Sequence, residues 1–105
     1  MDTVQVIAGS EATLVQLGSA MEIATIQASY PLLTSALAQA QASPNPLVLD
    51  ASQLRRVDAA ALQMLASLCR RAHENGISLQ WRAVHPAVRQ AAQQSGLEQH
   101  LFGPA

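Results

Sequence analysis

Apolar and polar residues alternate over two short stretches near the start of the chain. From Thr3 to Ala8, Val4, Val6 and Ala8 share one side, with Ile7 out of phase. From Ala12 to Leu17 the alternation is looser, with Leu14, Val15 and Leu17 apolar. Gly9-Ser10-Glu11 separates the two runs, and period-two alternation across a short glycine-containing turn predicts a hairpin. The period then lengthens. Leu33, Ala36, Leu37 and Ala40 recur at helical spacing, which predicts a helix over Leu32 to Ala42. Its start is left between two positions. Pro31 suits a first helical turn with Ser29 as its cap, whereas a start near Thr25 would put Pro31 inside the helix, where it deletes a hydrogen bond.

Leu47-Val48-Leu49 is a short apolar run ending at Asp50, the pattern of a buried strand. Asp58 to Asn75 has the clearest helical periodicity and is closed by Gly76. At about 100° per residue, Ala61, Leu62, Leu65, Leu68, Cys69 and Ala72 fall on one face, which should pack on a sheet. The opposite face carries Ala60, Gln63, Met64, Ser67, Arg70, Arg71 and Glu74, and its N-terminal end is less polar than a merely solvated face. Ile77 to Val84 alternates through Ile77, Leu79 and Trp81, as a strand does. Pro86 to Ser95 reads as a helix with proline in its first turn and Gly96 beyond its last.

The resulting order, β-β-α-β-α-β-α, belongs to the α/β class. Strands separated by helices imply parallel neighbours joined by right-handed crossovers. The opening hairpin adds an antiparallel pair, so a mixed sheet of about four strands is expected, with helices packed on it. The 105 residues suit one domain spanning 1–105, and Ser43-Pro44-Asn45-Pro46 is a tight connection within it.

Composition narrows the functional classes. Half the residues are hydrophobic, only three are aromatic, and all six basic residues are Arg, so the core must be aliphatic. A net charge of −1 provides no field to gather nucleic acid or an anionic membrane. The N-terminus lacks a signal-peptide pattern and no run is long enough to span a bilayer. A single cysteine, Cys69, fits a reducing compartment. The chain is therefore expected to be cytoplasmic.

No residue set points to catalysis. Cys69 and His73 stand four apart on one helix, but Cys69 belongs to the core face and no third metal ligand or catalytic partner is near in sequence. Asp50 and Asp58 occupy a strand end and a helix cap, both ordinary structural posts, and the glycines are all isolated, which excludes a phosphate loop. No metal and no cofactor are expected, and the chain reads as a non-enzyme.

One segment is more specific. Leu49-Asp50-Ala51-Ser52, followed by Val57-Asp58-Ala59-Ala60-Ala61-Leu62, resembles the signature of the STAS family, whose anti-sigma-factor antagonists carry a buried strand, a loop and a helix opening with Asp-Ser-Ser-Gly-Leu or Asp-Thr-x-Gly-Leu. His85-Pro86-Ala87-Val88 is similar to the family's Ser-Pro-x-Val at its third helix, and Ser95-Gly96-Leu97 with Leu101-Phe102 extends the likeness over most of the chain. The resemblance implies a signalling module that binds a protein partner through the loop and helix start, with Arg56, Asp58, Ala59, Ala60, Gln63, Met64 and Ser67 as the contact surface. The partner would be a histidine kinase, an anti-sigma kinase or another regulator, as for short chemotaxis-linked or two-component-linked bacterial members. An alternative within the family is the cytoplasmic STAS subunit of a phospholipid-transport ABC complex, which binds the ATPase.

The departures from the family pattern are equally informative. The hydroxyl residue that the family phosphorylates stands where this chain has Ala59, so the resemblance makes Ala59 a degenerate phosphosite. The family's following glycine is Ala61, which calls for ordinary helical angles. The last strand of the family is expected to be reduced or absent.

Overall fold

The structure, a computed structural model, describes residues 4–9, 12–42 and 45–102. Ser10 and Glu11 of the hairpin turn, Ser43 and Pro44 of the connection, and Gly103 to Ala105 lie outside the described residues. Strands β1 (Gln5–Ala8) and β2 (Thr13–Gln16) pair antiparallel, as the alternation predicts, and the Gly9 N–H donates to the Ala12 carbonyl at the turn. A two-residue strand β3 (Ala20–Met21) leads into α1 (Ile23–Ala42). Then follow β4 (Leu47–Ala51), a second short strand β5 (Arg56–Val57), α2 (Ala59–Glu74), β6 (Leu79–Val84), α3 (Pro86–Ser95) and a short helix α4 (Glu98–Phe102).

The main sheet has the order β1-β2-β4-β6, with β2, β4 and β6 parallel. It is the four-stranded mixed sheet that the element order predicts. Along β2 and β4 the buried residues are Thr13, Val15, Leu47, Leu49 and Ala51, which lie on the helix-covered side. Their alternates Leu14, Gln16, Val48 and Asp50 are half-buried or exposed on the other. One face of an otherwise parallel sheet is therefore the core, and the period of two sorts the side chains between faces.

Two helices supply most of the opposing core surface. From α1 come Leu33, Ala36, Leu37 and Ala40, and from α2 come Ala61, Leu62, Leu65, Leu68 and Ala72, all buried. Cys69, placed on that face by the helical wheel, is only half-buried at its margin. Both α2 and α3 end on a glycine with positive φ, 69° at Gly76 and 72° at Gly96. At each the next N–H turns back into the helix, Ile77 to Ala72 at 2.8 Å and Leu97 to Ala92 at 2.9 Å. Those bonds satisfy carbonyls that a helix end otherwise leaves open, and a Cβ would penalise the left-handed angle that makes them.

The structure decides the point left open at α1, close to the earlier of the two starts, and adds elements that the pattern did not announce. Helix α1 begins at Ile23, so Pro31 stands inside it and Ser29 is buried in its second turn rather than capping it. The cost is reduced by placement: Gln27, whose carbonyl loses its partner to the proline, is exposed alongside Pro31. Strands β3 and β5 form a separate two-stranded parallel sheet, invisible to periodicity at two residues each. Beyond Gly96 no strand follows among the described residues, in line with the expected reduction or absence, but the chain adds a short helix α4 that the pattern did not announce.

Pro31→Ala should stabilise the fold by about 1–2 kcal/mol, the helix-interior penalty less the freedom that the unfolded chain regains. Urea denaturation measures this directly. A loss of stability would show that the proline ring is needed where it stands.

Candidate functional site

The site grows out of the loop between β4 and α2. At its start the Asp50 carboxylate accepts the Ser52 backbone N–H at 2.9 Å, closing a tight turn. That N–H, assisted by the Ser52 side chain, holds the Asp50 carboxyl below the ordinary aspartate range against a small opposing effect of burial, with Arg82 adding a little. The loop then dips into the core, where Leu54 is completely buried and acts as its plug. On the far side of Leu54 the backbone is held by the β3 segment. The Ser19 carbonyl accepts N–H groups from Arg55 at 2.9 Å and Arg56 at 3.1 Å, and the Asp58 N–H reaches the Met21 carbonyl at 3.3 Å.

That bonding decides where α2 begins. Asp58 has extended angles (φ −98°, ψ 175°) and its Oδ1 accepts the Ala61 N–H at 2.9 Å. It is an N-cap: the carboxylate satisfies an orphan helix donor and faces the positive end of the helix dipole. Each of the two aspartates therefore accepts a nearby backbone N–H, Asp50 that of Ser52 in the loop and Asp58 that of Ala61 in the first turn of α2.

Around this cap the expected contact residues separate into two groups. Ala59 and Gln63, one turn apart, are exposed, Ala60 is half-exposed between them, and Arg56 is exposed beside them. Arg56 lies 3.8 Å from the Glu22 carboxylate, with both side chains well solvated, so the pair fixes little. Met64 and Ser67 recede instead. Both are half-buried where α2 meets α1, in a narrow cleft shared with Tyr30, Leu33, Leu68 and Arg71. Across the top of that seam the Arg71 guanidinium donates to the Tyr30 hydroxyl at 3.2 Å. The geometry brings Arg56, Asp58, Ala59, Ala60 and Gln63 to one surface and turns Met64 and Ser67 toward its flank.

Sequence reasoning missed the parts that hold this surface in place. Ser19, Glu22 and Leu54 contribute through main-chain position, a solvated ion pair and burial, and none belongs to a recognisable motif. The signal for Leu54 was present: it is the one apolar residue between Ser52 and Arg55.

Cys69 donates weakly to the Leu101 carbonyl at 3.8 Å, and burial pushes its thiol up to about 11. The Trp81 indole N–H donates to the same carbonyl at 2.8 Å. Phe102 meets Trp81 edge-on at 5.1 Å, and the Arg89 guanidinium lies 4.6 Å over the Phe102 ring. Together these contacts fasten α4 to β6 and α3. Among the described residues no group of three His, Cys, Asp or Glu is placed to hold a metal ion. No described helix is long and apolar enough to cross a membrane.

With this geometry in place, comparison with known proteins is informative. A family model described as "Mlab, STAS domain" matches residues 4–103. The crystal structure of an anti-sigma factor antagonist from Mycobacterium paratuberculosis is similar with a TM-score of 0.73 at 20% identity, over 97% of this chain and 84% of that one. A second solved structure, of Mglu, gives 0.62 at 16% identity over 78% of this chain but only 20% of its own. A comparison with curated proteins gives no match.

Two outcomes follow from the site. Asp58→Ala should cost about 1 kcal/mol by loss of the cap, with Asp58→Asn costing less because its amide oxygen can still accept; equal losses in thermal denaturation would mean that the cap is not the source. Cys69 has a folded pKa raised above its unfolded value. Its contribution to stability is therefore full below about pH 9 and lost as pH rises toward 11. At pH 8 its thiolate population, and with it the rate of iodoacetamide alkylation, should be about 100-fold below that of an exposed thiol. A rate near that of free cysteine would contradict the buried placement.

Proposed function

This chain belongs to the STAS domain family, and on that premise we propose that it is a non-enzymatic bacterial signalling module whose α2 N-terminus binds a protein partner without phosphorylation control. The observation that carries the reading is the exposed step of Ala59, Ala60 and Gln63 beside Arg56, directly after the Asp58 cap. The surface is small, weakly polar and rimmed by the guanidinium groups of Arg55 and Arg56. Small side chains let a partner's backbone approach closely, and rim cations set encounter rate and specificity more than raw affinity.

Ala59 fixes the mode of control. A phosphate after the cap would add close to two negative charges in the middle of this contact patch and repel a complementary partner. Alanine has no hydroxyl to receive it. The surface stays competent to bind, and any regulation acts elsewhere, with exposed Ser52 in the loop and half-buried Ser67 on α2 as candidate hydroxyls. A histidine kinase, an anti-sigma kinase or a related regulator, including one of a chemotaxis array, is the partner class that suits a signalling role in the cytoplasm. A surface with no switch also suits a permanent subunit, which supports a second reading: the STAS component of a phospholipid-transport ABC complex, seated on its ATPase.

Partner capture tests the proposal. Ala59→Arg and Gln63→Glu alter exposed positions and should leave the far-ultraviolet circular dichroism unchanged while reducing co-purification of the native partner at least tenfold. Met64→Glu is a poorer probe, because a charge in the half-buried α1–α2 seam disturbs the fold. Undiminished capture by both exposed variants would remove this surface from the account. The partner's identity separates the two readings, a kinase favouring signalling and an ATPase favouring transport. With the partner kinase and labelled ATP, the wild-type chain should stay unlabelled and Ala59→Ser should accept phosphate. Label on wild-type Ser52 or Ser67 would show control at another position.

A further inference from the structure

A concavity of about 710 Å³ lies on the flank of α2 away from α1. Ser67, Arg70 and His73 form one wall along α2, and Leu97, Gln99 and His100 form the other. Ala66 and the half-buried edge of Cys69 complete an apolar floor. The charged side chain on the walls is the Arg70 guanidinium, with the imidazoles of His73 and His100 on either side of the groove. Among the described residues no carboxylate lines it, in a chain whose acidic residues outnumber its basic ones. Glu98 accepts the Gln93 side-chain amide at 2.9 Å, and Glu74 on α2 is not among the lining residues.

Helix ends account for part of this. His73 lies in the last turn of α2 and His100 in that of α4, positions where basic residues are favoured at the negative end of a helix dipole. They do not account for Arg70, which is exposed one turn earlier and makes no ion pair among the described residues. Nor do they explain why both helix ends open onto one concavity with an apolar floor.

We infer that this groove is a docking site for an acidic, leucine-bearing peptide segment of a protein partner, its carboxylates meeting Arg70, His73 and His100 and its apolar side chains meeting Ala66 and Leu97. The Arg70 guanidinium and the imidazole N–H groups beside it select an anion, and the apolar floor selects a peptide over a nucleic acid, which would offer phosphates but few aliphatic groups. Because Gln63 and Ser67 line the upper end of the groove, it continues the α2 contact surface. The segment is therefore a second point of attachment for the same kind of partner. Its binding does not depend on occupation of the α2 N-terminus.

The test uses the purified full chain and a fluorescein-labelled twelve-residue peptide of alternating Glu and Leu, with a Gln/Leu peptide as the control. Titration should shift the backbone amide resonances of Arg70, His73, Leu97 and His100, and the anisotropy change should weaken as salt rises from 50 to 300 mM. The Gln/Leu peptide should bind at least tenfold more weakly. Arg70→Glu combined with His100→Glu should reduce affinity for the acidic peptide by about tenfold or more, with the amide spectrum confirming the fold. Equal binding of both peptides, shifts confined to other surfaces, or an equal response to a single-stranded RNA of the same length would overturn the proposal. Ala59→Arg should leave this peptide titration unchanged, so failure here and failure of the α2 N-terminal surface are told apart.

Discussion

The arrangement around α2 depends on a main-chain clamp. Ser19 offers one carbonyl to two successive N–H groups, of Arg55 and Arg56, and Met21 offers another to Asp58. These bonds make β3 and β5 a second, two-stranded sheet and place the starts of α1 and α2 side by side. Buried Leu54 holds the loop from below. Without the clamp, Asp58 would cap a helix whose starting point was free to slide, and Ala59, Ala60 and Gln63 would not form a fixed surface. The rigidity sits in backbone hydrogen bonds and one buried leucine, so the exposed side chains are left free to be small and weakly polar.

Much of the fold could be read from the sequence because its elements bury one face each. The loose alternation from Ala12 to Leu17 and the apolar run Leu47-Val48-Leu49 mark strands, and Leu62, Leu65, Leu68 and Ala72 mark the helix laid on the sheet. Gly76 and Gly96 were legible because a helix ending in the left-handed region favours a residue without Cβ. The start of α1 was not legible. Pro31 argues for a helix beginning there, and tertiary burial of Leu33 and Met21 on either side outweighs that local preference. Two-residue strands carry no periodic signal at all, so β3 and β5 follow only from the fold around them.

The candidate site shows the same division. Asp58 as a cap and Ala59 as an exposed neighbour follow from local helix chemistry together with the STAS pattern. The helical wheel placed Met64 on the outer face because it ranks residues by angle alone. In the fold α1 approaches that side of α2, and Met64 becomes part of the seam. The groove beside α4 was beyond the sequence for a related reason: Arg70 and His100 are brought together only when Trp81, Phe102 and Arg89 fasten the last helix down.

Hydrogen exchange of the chain bound to its native partner tests the central claim most directly. Binding should slow exchange of the amides from Arg55 to Ser67, with β1 and the outer face of the sheet unchanged. Protection confined to β1, β2 and the exposed side of β4, with the α2 start exchanging as in the free protein, would contradict the account.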